Sequence, residues 1–289
     1  MKQGDLVTRR SYGGDIIFKI QNIIRQQAVL RGVDYRLLAD APLTDLTTVT
    51  VNANSQTAAG SRPPWMETMR KSRNRAVTGY ASANGTGGET APAFFEMPGK
   101  VLHLDGDPAY LRKCMNLYGE LKVPAEGYYV SEPHMADAMY RLLPQVKPDI
   151  VVVTGHDGIL KTRRSGDIAN LGSYKNSHHF VNAVRVARQY EKNKDTLTVV
   201  AGACQSHFEA LMQAGANYAS SPSRVLIHAL DPLCVAVKVA YTPIRDTVNI
   251  VDVIGLTHSG LEGIGGVESR GSYRRGVPVI PKNMYQQAP

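Results

Sequence analysis

The chain has 289 residues, 43% hydrophobic and 20% charged, enough for a full core plus a smaller module. No apolar run approaches the ~20 residues that span a bilayer, and the start, MKQGDLVTRRSYGGD, lacks a secretory pattern. Three scattered cysteines are too few for a disulfide scaffold or a zinc site, so a reduced intracellular protein that binds no metal is expected. The net charge of +8 is spread over Arg9-Arg10, Arg70 to Arg75, Arg163-Arg164 and Arg274-Arg275. A basic surface for acidic partners explains that spread as well as DNA does, which argues against direct nucleic-acid binding.

Residues 1–50 carry short apolar runs, DIIFKIQNII and AVLRGVDYRLLAD, broken by Gly13-Gly14 and Gly32. This texture predicts a small SH3-like β-barrel. Residues 51–99 are dominated by Ser, Thr, Asn, Gly and Ala and read as a flexible basic linker or surface loop. From Lys100 onward, strands and helices alternate. VLHLD (101–105) is a strand, and Asp107-Pro108 supplies an N-cap and a first-turn proline. Leu111, Cys114, Met115, Tyr118 and Leu121 follow at helical spacing, so Cys114 belongs to the core. GYYVS (127–131) is a second strand and Pro133 opens a helix. IVVVT (150–154) is a third strand, and Ser177 caps the next helix. LTVVA (197–201) is a fourth, followed by a helix through SHFEALMQA that ends at Gly215. RVLIHAL (224–230) is read as a fifth strand. Asp231-Pro232 then resembles a cap and first turn, although CVAVKVA also suits a strand. GLEGIGGVESRG matches neither a P-loop nor a strand-led GxGxxG, and reads as a structural loop. Apolar strands separated by helices predict a mostly parallel, doubly wound α/β sheet covered on both faces over 100–289.

In such sheets the site lies beyond the carboxyl ends of the strands, at the switch in strand order. For the order 2-1-3-4, strands one, three and four are neighbours. Their ends carry Asp105-Gly106-Asp107, Gly155-His156-Asp157-Gly158 and Gly202-Ala203-Cys204. A cysteine and a histidine at adjacent strand ends suit a nucleophile and its acid–base partner. A helix just beyond Cys204 would favour a thiolate. The Cys204 amide, with that of Asp157 or Gly158, could form an oxyanion hole. Taken singly, each residue has an ordinary reading: a buried small hydrophobe for Cys204, a capping residue for His156. His207, three residues past Cys204, is the rival base. A metal site from His156 and Asp157 lacks a further ligand pair at suitable spacing.

The blocks LHLDGDPAYLRKC, PDIVVVTGHDG, YKNSHHFV, GACQSHFEALMQAGANYASSPSRVLIHALDP and GIGGVESRG, with GDLVTRRSYGGDIIFKI at the start, closely resemble the YabG family of sporulation-specific peptidases. The resemblance covers nearly the whole chain and is least between Val51 and Gly99. It implies a cysteine endopeptidase without a cofactor that processes spore-coat and related spore proteins and favours cleavage after basic residues. It places that activity in the cytoplasm of the sporulating mother cell, at the forming coat. Cys204 and His156 fall on the positions of the family's dyad. The layout is also similar to the wider caspase, clostripain and gingipain group, in which one hydrophobic strand precedes His-Gly and another precedes Ala-Cys. Here Asp157 stands between His156 and Gly158. Gly202 also replaces the acid that clostripain-like enzymes carry two residues before the cysteine.

The acid for a basic substrate side chain is therefore expected on another loop. Asp105 ranks first, because Asp107 has a helix-capping role and Asp157 sits close to the reacting carbonyl. Arg70, Arg73 and Arg75 in the linker are candidate self-cleavage sites. The competing reading is a non-enzymatic spore-morphogenesis or nucleic-acid-binding protein that uses the basic N-terminal module and linker.

Overall fold

A computed structural model describes residues 1–49, 67, 95–160 and 167–276. The self-cleavage candidates Arg70, Arg73 and Arg75 lie outside the described residues, as does most of the expected linker. The N-terminal module is a five-stranded antiparallel sheet of β1 (Leu6–Arg9), β2 (Phe18–Ile24), β3 (Gln27–Gly32), β4 (Leu38–Pro42) and β5 (Leu46–Thr48). Its order is β4-β3-β2-β1-β5. Buried and exposed positions alternate along β3 and the first half of β2. One face of the sheet therefore carries a small core of Val7, Phe18, Ile20, Ala28, Leu30, Ala41 and Leu46.

The larger unit is an α/β sheet. After β6 (Phe95–Met97), its strands are β7 (Val101–Asp105), β8 (Ala125–Tyr129), β9 (Ile150–Thr154), β10 (Thr198–Ala201) and β11 (Tyr218–Ser220). They lie in the order β8-β7-β9-β10-β11, all parallel, which is the order 2-1-3-4 expected, extended by one strand. The pleat sends alternate residues to opposite faces, and β7, β9, β10 and β11 are buried on both, while the edge strand β8 is half-exposed. Val101, Ile150, Val152 and Val200 pack with Cys114 and Tyr118 of α1 (Pro108–Glu120). Leu102, Leu104, Val151, Val153 and Val199 pack with Met135 and Met139 of α2 (Met135–Val146) and Phe180 and Val184 of α3 (Ser177–Tyr190). Helix α4 (Phe208–Ala214) ends at Gly215, whose φ of 111° closes the helix in the left-handed region as the sequence suggests.

Two readings of the C-terminal third need correction. RVLIHAL is not the fifth strand; that strand is β11, and residues 224–230 run as irregular chain with an isolated bridge between His228 and Tyr35. Asp231-Pro232 does begin a helix, α5 (Asp231–Tyr241), and CVAVKVA lies within it. Burial overrides β-propensity there, because α5 is covered along nearly its whole length. The glycine-rich GLEGIGGVESRG is also not a plain loop. After β12 (Thr247–Val248) and α6 (Ile250–Leu256), it forms the short helix α7 (Gly260–Gly263), the edge strand β13 (Ile264–Gly266) and β14 (Ser269–Arg270). Strand β13 runs antiparallel to β11 and closes the main sheet, and β15 (Arg274–Gly276) pairs with β6.

Candidate active site

The carboxyl ends of β7, β9 and β10 meet as the strand order requires. Backbone register aligns Val153 of β9 with Leu104 of β7 and Ala201 of β10, so His156 and Cys204 leave neighbouring strands. Gly202 turns the chain out of β10 at φ 104°, and a Cβ there would lie 2.8 Å from the Leu211 side chain. Only glycine fits that turn. The Gly202 amide donates to the Val153 carbonyl at 3.0 Å, and its carbonyl accepts from Thr154 Oγ1 at 2.8 Å. These two bonds lock the ends of β9 and β10 together.

Asp157 extends that lock. Its Oδ1 accepts from the amides of Gly158 and Asn176, both at 2.8 Å, and its Oδ2 from the hydroxyls of Ser177 and Ser206. Ser206 Oγ in turn accepts from the Ala203 amide at 2.9 Å, and Ser177 Oγ from the His207 amide at 2.8 Å. One carboxylate thus organises the His156 turn, the Cys204 turn and the start of α3. Burial pushes its pKa up, opposed by these hydrogen bonds. The Gly158 amide is consequently engaged. The expected oxyanion pair keeps the Cys204 and Asp157 amides as its candidates.

His156 sits in a half-dry pocket. Its Nε2 lies 3.5 Å from Asp107 Oδ2 and its Nδ1 3.9 Å from Glu132 Oε1, while its amide donates to that same Glu132 oxygen at 2.8 Å. Among the described residues, Nε2 is buried and has no hydrogen-bond partner. Burial lowers its pKa to about 4 against the pull of Asp107, so the resting ring is neutral. Gly155 admits Glu132, since a Cβ there would lie 2.5 Å from Oε1. Asp107 caps α1, accepting from the Ala109 and Tyr110 amides, and also faces the imidazole.

Cys204 is 1% exposed, and its Sγ accepts from the Ile227 amide at 3.3 Å. Burial pushes the thiol up to about 11 despite that bond. Helix α4 starts four residues later, at Phe208, so the expected thiolate is not the resting form. His207, the rival base, caps α4 instead: its Nδ1 accepts from the Ala210 amide and its Nε2 lies 2.7 Å from the Ala169 carbonyl.

Asp105 has the role that sequence left vacant. It is fully buried and takes the Arg36 guanidinium in two-point fashion, at 2.8 and 2.9 Å, while its Oδ1 also accepts from the Asp107 amide. Arg36 comes from the N-terminal module and lies beyond the reach of local sequence pattern. Glu132 and Tyr110, which flank His156, were likewise missed. Elsewhere, ligand atoms of His228, Asp231 and His258 gather within 4.8 Å. The Asp231 carboxylate accepts from the amides of His228, His258 and Ser259, and His258 Nδ1 lies 3.4 Å from it.

Residues 2–278 match the family described as YabG peptidase U57. The chain is also 41% identical over 286 residues to the sporulation-specific protease YabG of Bacillus subtilis (strain 168), an alignment that spans 95% of this chain and 97% of that protein. The strand-end histidine and cysteine thus stand in a chain that belongs to the YabG peptidase family.

Proposed function

We propose that the protein is a cysteine endopeptidase of sporulation that cleaves after basic residues, arginine above all, in spore-coat and related proteins. The observation that carries the reading is the lock between the ends of β9 and β10, which holds His156 and Cys204 on neighbouring turns through Asp157, Ser206 and Gly202. Cys204 Sγ attacks the scissile carbonyl carbon as its proton passes to His156. The tetrahedral oxyanion meets the Cys204 and Asp157 amides. His156 then protonates the leaving amine, giving a thioester, and a water deprotonated by the same imidazole releases the acid and restores the thiol. Asp107, 3.5 Å from His156 Nε2, stabilises the imidazolium that exists between those transfers.

The N-terminal sheet, read as an SH3-like module, positions substrate and supplies no reacting group. The α/β unit, read as caspase-like, supplies both. The site of action is the mother-cell cytoplasm at the forming coat; no helix of the described residues is long and apolar enough to cross a membrane. The test is hydrolysis of an arginine peptide amide, with and without alkylation. Cleavage should stop as one adduct appears on Cys204 by peptide mass spectrometry. Cleavage that survives complete Cys204 alkylation would refute the reading.

A further inference from the structure

Arg36 is the largest fully buried side chain of the described residues, and it is buried at the candidate site. Its guanidinium forks onto Asp105 at the end of β7, donates to the Ala229 carbonyl at 3.0 Å, and lies 5.1 Å from the centroid of the Tyr110 ring. Tyr110 is the neighbour of His156, with ring centroids 6.1 Å apart. A carboxylate fork, a carbonyl and an aromatic face are what a pocket for arginine requires.

The backbone around Arg36 is held as a bound peptide would be. Tyr35 bridges His228 in antiparallel fashion, the Ala229 amide donates to the Asp34 carbonyl at 2.7 Å, and the Arg36 amide to the Ile227 carbonyl at 3.4 Å. Ile227 is the residue whose amide bonds Cys204 Sγ. Segment 34–36 thus adds a strand to 227–229, against the residue whose amide holds the thiol. On the Leu37 side, a cavity of about 650 Å³ continues along the chain, lined by Arg9, Asp15, Asp40, Gln205 and Leu226. Gln205 follows Cys204, so that cavity flanks the nucleophile.

We propose that the pocket of Asp105, Tyr110 and the Ala229 carbonyl receives the basic side chain of the substrate. In the resting chain Arg36 fills it, making Asp34–Arg36 an internal pseudosubstrate strand that covers Cys204. This rests on the cysteine-peptidase reading. A peptide reaches the thiol only when the strand lifts, and the observed affinity for substrate is reduced by the fraction of chains still closed. Whether the thiol is covered or open to a peptide is then a matter of which arginine occupies one pocket.

The experiment uses the full chain as wild type, Arg36→Ala and Arg36→Ala/Asp105→Asn. Three quantities are measured: the rate of Cys204 alkylation by iodoacetamide, kcat/KM on an arginine peptide amide, and the unfolding temperature with and without millimolar agmatine. Arg36→Ala should raise alkylation and kcat/KM by about tenfold or more. Agmatine, a guanidinium with no peptide bond, should raise the unfolding temperature of Arg36→Ala and leave wild type and the double variant unmoved. If Arg36→Ala does not fold, Arg36→Lys keeps the charge and loses the fork, and its alkylation rate should rise. A folded Arg36 variant whose Cys204 is alkylated no faster than in wild type overturns the proposal and leaves the peptidase reading intact. Faster alkylation with agmatine binding, but no cleavage by any form, supports the pocket and sinks the peptidase reading.

Discussion

Replacing Asp157 tests whether one buried carboxylate assembles the site. It accepts four hydrogen bonds, two from backbone amides and two from hydroxyls that themselves hold the Ala203 and His207 amides. Hydrogen bonds to a charged group contribute about 1.5–3 kcal/mol each, which burial of the charge offsets in part. The raised pKa of Asp157 is the sign of that offset. Asp157→Ala strands four donors, and the expected loss is about 3–5 kcal/mol. Asp157→Asn keeps both amide bonds at Oδ1 and turns an NH2 toward two hydroxyls that can accept from it. Its expected loss is about 1–2 kcal/mol. Urea unfolding followed by circular dichroism gives both values, provided the slopes match wild type. Folded Asp157→Asn should also lose at least about tenfold in kcat/KM, since a misplacement of this order costs that much. An Asp157→Ala protein within about 0.5 kcal/mol of wild type would refute the assembly role.

Cys204→Ala should abolish peptide cleavage while leaving unfolding near wild type, and His156→Ala should lose most activity; turnover in Cys204→Ala at the wild-type rate would end the cysteine reading. His207→Ala should cost about 1 kcal/mol through its lost cap on α4 and reduce activity mildly, by urea unfolding and steady-state assay. His156 and His228 are both held near 4 by burial, against 6.5. Between those values the unfolded chain binds protons that the native chain does not, so stability is full above pH 6.5 and falls as pH drops toward 4, by about 3 kcal/mol per imidazole. Unfolding midpoints that stay constant from pH 7 to 4.5 would contradict this. Self-cleavage after Arg70, Arg73 or Arg75 should be found by terminal sequencing of wild type and be missing in Cys204→Ala.

The parts of the molecule that sequence made legible are those encoded locally. Strands β7 and β9 stand where VLHLD and IVVVT put them, because an apolar run buried on both faces is bounded by caps and glycines that can be read in place. Strand β11 was illegible for the converse reason. Its three residues, Tyr-Ala-Ser, are too few and too mixed to form an apolar run, while the more apolar RVLIHAL next to it pairs with segment 34–36 instead of the sheet. The site divides in the same way. His156 and Cys204 are found by the ends of their own strands, but Arg36 is 69 residues from Asp105, in the other module. The cue lay in Asp105 itself, a carboxylate closing an apolar strand with no local cap to serve, which burial forbids without a cation. That energetic rule also constrains how the site opens. Asp105 is 0% exposed, and baring a buried carboxylate costs several kcal/mol. On the pseudosubstrate proposal, the wild-type strand therefore lifts rarely, and an incoming guanidinium stabilises the opened pocket by pairing Asp105 again.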